Sequence, residues 1–293
     1  MIKTKITNTI MEALNTIFGN MFSSIDNSIY YTLDKITFID FGIINSPYFE
    51  KIFGISSSNS LLLIANALLI GFVLYYSIKL ILSNLAITQV ESPYSFIFRT
   101  IFFGICMNFS YYICDIIISL NAELSIAIRQ IGKDIFRTEM CFANLIEKVN
   151  SVIFIEENNS NIFSLDGIIK STISFGFINL LFSYSIRYVL IKVLVLISPF
   201  AILSLSTQST SSFCKSWFKC FLSLLLIQDF VALTLILIYS IELKSNDILS
   251  KFLFIGCIFV LIKANSYVRE FMGGLSTEFQ SGINNFKSLT KWF

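Results

Sequence analysis

The chain has 293 residues, a formal net charge of +2, 55% apolar residues and only 14% charged ones, against roughly 25% charged in an ordinary soluble domain. At a mean hydropathy of +0.75 a soluble globule of this length could not cover its outside with polar groups, so the composition predicts an all-α, polytopic membrane protein. The absence of histidine excludes a Ser-His-Asp triad, an HExxH zinc site and His-ligated haem.

Residues 1–60 read as an amphipathic extracytoplasmic segment. Thr4, Asn8, Glu12 and Asn15 interrupt any signal-peptide core. Ile10, Leu14, Ile17 and Met21 recur at helical spacing, which predicts a helix lying on the membrane surface. A second mixed segment runs from Ile29 to Phe53, and Ser56 to Ser60 make a polar break.

Five stretches are long and apolar enough to span a bilayer, which takes about 20 residues at 1.5 Å each. The first two, Leu61 to Leu82 and Phe96 to Leu120, lie in 61–120, and the second contains Arg99 and Asp115. An extracytoplasmic loop follows at 121–167. It opens with an apolar stripe of Leu124, Ile128, Ile131 and Ile135, expected to be an amphipathic helix, and contains a polar turn over Glu156 to Asn161. Three further spans are expected in 168–267: Ile173 to Ser198 with Arg187 and Lys192, Trp217 to Tyr239 with Gln228 and Asp229, and Leu249 to Tyr267. A cytoplasmic loop at 199–216 separates the first two of these, and a cytoplasmic tail covers 268–293.

Placing the N-terminus outside and the C-terminus inside gathers the basic residues nearest the span ends on the inner face. Lys215, Lys219, Lys263, Lys287 and Lys291 are among them, as the positive-inside rule expects.

Ionisable groups within spans are functional candidates. Lys192 lies ~9 Å from the inner end of its span and is expected to snorkel to the headgroups, and Arg99 likewise. Asp115 is ~24 Å further along than Arg99 and is expected at the outer surface. Arg187 and Asp229 fall at matching depths, ~16 and ~18 Å from the inner ends of neighbouring antiparallel spans. The sequence therefore predicts an Arg187–Asp229 ion pair, acting as a packing clamp. No glycine-rich aspartyl-protease motif surrounds Asp115 or Asp229, no serine stands out as a partner for Lys192, and no phosphate loop is present. The six cysteines have no CxxC spacing. Neither catalysis nor a metal or other cofactor is expected.

Residues 197–237 read ISPFAILSLSTQSTSSFCKSWFKCFLSLLLIQDFVALTLIL. A span ends at Ser198-Pro199, where proline stops the helix. A short polar, basic loop follows, and Trp217 opens the next span. Ser198, Pro199, Ala201, Thr210, Trp217 and Gln228, in this order and spacing, resemble the TrbL-like family of polytopic inner-membrane subunits of type IV secretion and conjugation machines. The segment Tyr267 to Ser276 resembles that family's exit from its last span. The resemblance covers the last third of the chain by motif and the rest by layout. It implies a non-enzymatic channel or scaffold in a bacterial cytoplasmic membrane, assembled as a homo-oligomer. Partners would be secretion ATPases and extracytoplasmic subunits, with single-stranded DNA or protein as indirect cargo. The alternative from the residues themselves is a solute or ion transporter with Arg187, Gln228 and Asp229 at a midplane site.

Overall fold

The computed structural model describes residues 27–40, 42–55, 60–84, 92–145, 165–241 and 248–272. The helices are α1 (Asn27–Thr37), α2 (Pro47–Phe53), α3 (Leu61–Asn84), α4 (Pro93–Asn108), α5 (Ser110–Phe136), α6 (Leu165–Leu203), α7 (Ser211–Ser240) and α8 (Ile248–Met272), with two 3-10 turns at Ser204–Ser206 and Gln208–Thr210. No strand occurs among the described residues. The protein has an all-α membrane-type fold, and among the described residues four helices are long and apolar enough to cross a bilayer. Their apolar stretches are Leu61–Ser83, Ser110–Phe136, Phe175–Ser206 and Gln208–Ser240, and a shorter apolar helix covers Phe252–Val268. The expected surface helix around Ile10 to Met21, the turn at Glu156 to Asn161 and the residues beyond Met272, including Lys287 and Lys291, lie outside the described residues.

The stretch Phe96 to Leu120, expected to be one span, is divided at Phe109 between α4 and α5. Neither proline nor glycine marks this break. Asn108 turns its amide back onto the Gly104 carbonyl, 2.8 Å away, and across to Asn66 of α3. Hydropathy cannot register such a local capping choice. The membrane-length helix therefore starts at Ser110 and runs on through the Leu124–Ile135 stripe without interruption.

Most of that stripe faces outward: Leu124, Ile131 and Ile135 are exposed, Ile128 packs against the core, and Cys114, Asn121, Ala122, Ser125 and Gly132 are buried. The small and polar face of α5 packs inward while its apolar face points away, as expected where lipid rather than water surrounds the bundle.

Close pairs give the helix directions. Arg187 of α6 meets Leu224 of α7, and Leu194 meets Trp217, so these two helices run antiparallel. Asn121 of α5 meets Gln228, Phe136 meets Tyr239, and α5 runs parallel to α7. Tyr184 of α6 donates to the Leu261 carbonyl of α8 at 3.0 Å, and Asn265 donates to Ser183. At Gly132 an added Cβ would stand 2.9 Å from Ile236, and at Gly176 it would stand 2.7 Å from Ile258. Glycine at these two positions thus leaves room for Ile236 of α7 and Ile258 of α8.

Helices α3 and α4 form an antiparallel hairpin, stacked at Tyr76 on Phe96 with ring centres 3.7 Å apart. Ala65 and Met107 of this hairpin pack on Ile202 and Leu203 at the end of α6. Only 6% of the apolar stretch of α3 is buried, against 67% for α7.

Pro199 does not end its helix. Helix α6 continues one turn to Leu203. Proline removes one amide and crowds the carbonyl four residues back. Near this distorted turn the Trp217 indole Nε1 donates to the Leu194 carbonyl at 2.9 Å. Trp217 lies inside α7, which begins at Ser211, and is buried and stacked on Phe221 with ring centres 5.5 Å apart.

Residues 27–55 do not lie across the outside of the bundle either. Phe38, Ile39, Ile43 and Ile44 are buried in the main core. The described residues between α1 and α2 bond to α7 through Ile39 and to α5 through Ile44, while Asp40, Gly42 and Asn45 remain exposed.

Candidate functional site

The site is a row of buried polar groups across α5, α6 and α7. Arg187 is 1% exposed. Its Nε donates to the Leu224 carbonyl at 2.7 Å, Nη1 to the Thr37 carbonyl at 2.9 Å and Nη2 to Gln228 Oε1 at 3.4 Å. Gln228 Oε1 also accepts from the Ile39 amide at 3.0 Å, and Gln228 Nε2 donates to Asn121 Oδ1 at 2.7 Å. Asn121 Nδ2 completes the row by donating to Asp229 Oδ2 at 2.5 Å.

The expected direct Arg187–Asp229 ion pair is therefore not formed. Consecutive residues on a helix are separated by about 100° around its axis. Gln228 takes the position facing Arg187, and Asp229 turns toward Asn121. The two charges belong to one network, linked through two amides.

Local sequence explains why the chain can hold this row. On α5, Cys114, Ile118, Asn121 and Ser125 recur every three or four residues, and Gly132 follows two turns later on the same face. On α7, Leu224 and Gln228 are one turn apart. The guanidinium fork matches several acceptors at once. An isolated buried charge is costly, and Arg187 instead meets two carbonyls and an amide oxygen.

Further clasps hold the N-terminal segment beside this row. The guanidinium of Arg129 lies 4.2 Å from the centre of the Phe38 ring, a cation–π contact. Tyr111 donates to the Ile44 carbonyl at 3.2 Å and to Asn45 Oδ1 at 3.0 Å. Asp34 accepts from the amides of Phe142 at 2.8 Å and Ala143 at 3.3 Å. Burial pushes the Asp34 carboxyl up to about 6, against the lowering effect of those two amides and of Arg129.

The other sequence-predicted residues lie away from the row. Lys192 places its ammonium 4.9 Å from the Tyr188 ring centre. Asp115 is half-buried on α5, with one carboxylate oxygen unpartnered among the described residues. Arg99 is half-buried on α4. Ser198, Pro199 and Ala201 are buried near the end of α6. Thr210 precedes α7 and donates to the Ser204 carbonyl at 2.6 Å, tying the two 3-10 turns together. Ser198, Pro199, Ala201, Thr210 and Trp217 thus lie in or beside a folded connection between α6 and α7, and Gln228 alone of the six enters the polar row.

Sequence reading did not single out Asn121, Arg129, Thr37 or Ile39. The small-and-polar periodicity of α5 was available as a signal for Asn121. The backbone groups of Thr37 and Ile39 carry none, because every residue has a carbonyl and nearly every one an amide.

No known protein family matches the chain, and no curated protein or solved structure matches it.

Proposed function

We propose that the chain is a non-enzymatic channel or scaffold subunit of a type IV secretion machine in a bacterial cytoplasmic membrane, with the N-terminus outside and the C-terminus inside. Several copies assemble into a platform, separate ATPases supply energy, and single-stranded DNA or protein passes as cargo. The observation that carries this reading is the α3–α4 hairpin. Its helix α3 is membrane-length, the hairpin packs on the end of α6 at Ile202 and Leu203, and only 6% of the apolar stretch of α3 is buried among the described residues. In an assembly of copies that face has a neighbour to meet. The folded α6–α7 connection around Ser198, Pro199, Thr210 and Trp217 supports the same reading through its resemblance to the TrbL-like pattern.

The test is the oligomeric state of the protein in nanodiscs, with mass spectrometry of what co-purifies from the native membrane. A ring of several copies carrying coupling ATPases is the expected result. A monomer or dimer without such partners overturns it in favour of a solute or ion transporter, and Arg187 and Asp229 then become the first residues to test for substrate binding.

A further inference from the structure

The chain between α1 and α2 exposes charged and polar groups at a depth where the helices beside it are apolar. Arg187 and Gln228 lie about twelve residues, or ~18 Å, from the ends of their apolar stretches at Phe175 and Ser240, and further from the opposite ends. That depth falls inside a hydrocarbon layer about 30 Å thick. The chain passes this level between Thr37, whose carbonyl meets Arg187, and Ile39, whose amide meets Gln228. It then runs to the start of α5, where Tyr111 bonds Ile44 and Asn45.

Along this course Phe38, Ile39, Ile43 and Ile44 turn into the core. Asp40, Gly42 and Asn45 are exposed, and so is Lys35 in the last turn of α1. Neither Lys35 nor Asp40 forms a salt bridge among the described residues. Non-helical backbone and ionised side chains at membrane depth face protein or water, not lipid. A protein partner covering this face would have to pair Lys35 and Asp40 separately, and charged residues are depleted where protein partners bury their contacts. Water solvates both without such matching.

We propose that the outward face of this segment, Asp40, Gly42 and Asn45, is one wall of a water-filled vestibule. It opens at the end of the bundle where α5 begins and reaches inward to the level of Arg187 and Gln228. It admits water and small polar solutes to that depth. The inference stands apart from the secretion reading, because a vestibule in one protomer requires no other subunit.

The test is cysteine accessibility in the full chain in nanodiscs. The reagent is a membrane-impermeant quaternary-ammonium methanethiosulfonate, and labelled positions are read by peptide mass spectrometry. Asp40→Cys and Gly42→Cys are the probes, and an added Cβ at Gly42 has nothing within 4 Å. Val189→Cys is the lipid-facing control, exposed on α6 two residues from Arg187. The thiolate is the reacting species, and apolar surroundings suppress it. Both probes should therefore react at least about tenfold faster than the control, the effect of a single pKa unit. Retained helical circular dichroism marks a folded variant, and if Asp40→Cys does not fold, Gly42→Cys decides alone. Folded probes that react no faster than the control overturn the proposal. So does reaction seen only in detergent, which assigns the face to lipid or to a second copy. A ring that co-purifies with ATPases while its probes stay silent would refute the vestibule and leave the secretion reading intact. Reactive probes in a monomer without such partners would do the reverse.

Discussion

Arg187 is the residue on which the described core turns. It carries three hydrogen bonds, two to α7 and one to the end of α1, and its removal strands the Thr37 carbonyl at that helix end. Leaving a buried polar group unpaired costs about 1–3 kcal/mol. Arg187→Leu should therefore destabilise the protein by about that amount, read as a lower thermal midpoint in detergent. Arg187→Lys should recover only part of this, because an ammonium lacks the planar fork. Asp34 supplies a pH dependence. Its folded-state value of about 6 lies above the ordinary carboxylate value of 3.8, so the folded state binds the proton more tightly than the unfolded state. Stability should then fall as pH rises from about 4 to about 6, and Asp34→Asn should flatten that slope in thermal melts across the window.

The elements are held at close approaches that side-chain volume controls. Gly132→Val should separate α5 from α7, since its Cβ would meet Ile236 and Met140 inside van der Waals distance. The cost expected of such overpacking is about 1–3 kcal/mol. Gly71 on α3 is the matched control, with nothing within 4 Å of an added Cβ. Gly71→Ala should be neutral or stabilise by up to about 1 kcal/mol through helix propensity, and thermal melts of both variants decide the comparison. Trp217→Phe should retain the stack on Phe221 and lose the bond to the Leu194 carbonyl, at a cost of about 1 kcal/mol by chemical denaturation. The same elements show where periodicity reads well and where it does not. The spans at α3, α6 and α7 were legible because twenty or more apolar residues run together. The division at Phe109 was not, because Asn108 and its partner Asn66 are 42 positions apart. Pro199 misled in the same way: a proline near a helix end is tolerated where the turn after it is packed, and packing is not a property of the local sequence.

At the scale of the whole molecule the described residues form a packed group, α5 to α8, with the α3–α4 hairpin docked on the end of α6 and the N-terminal segment bonded to the polar row. Hydrogen exchange in detergent should follow that division. Amides of α3 and α4 should exchange before those of α7, whose apolar stretch is two-thirds buried. Uniform protection along all these helices would contradict it. The amino-acid sequence by itself determined the helical class, the membrane-type character and the matching level of Arg187 and Asp229 on neighbouring helices, because apolar run length and the 3.6-residue period are local quantities. Only the tertiary structure decided which of those groups meet. Gln228 rather than Asp229 faces Arg187, Asn121 joins the two halves, and the backbone of Thr37 and Ile39 supplies the remaining partners. The physical reason is that a rotation of about 100° between neighbouring side chains, and contacts spanning up to 189 positions, are set by how helices dock.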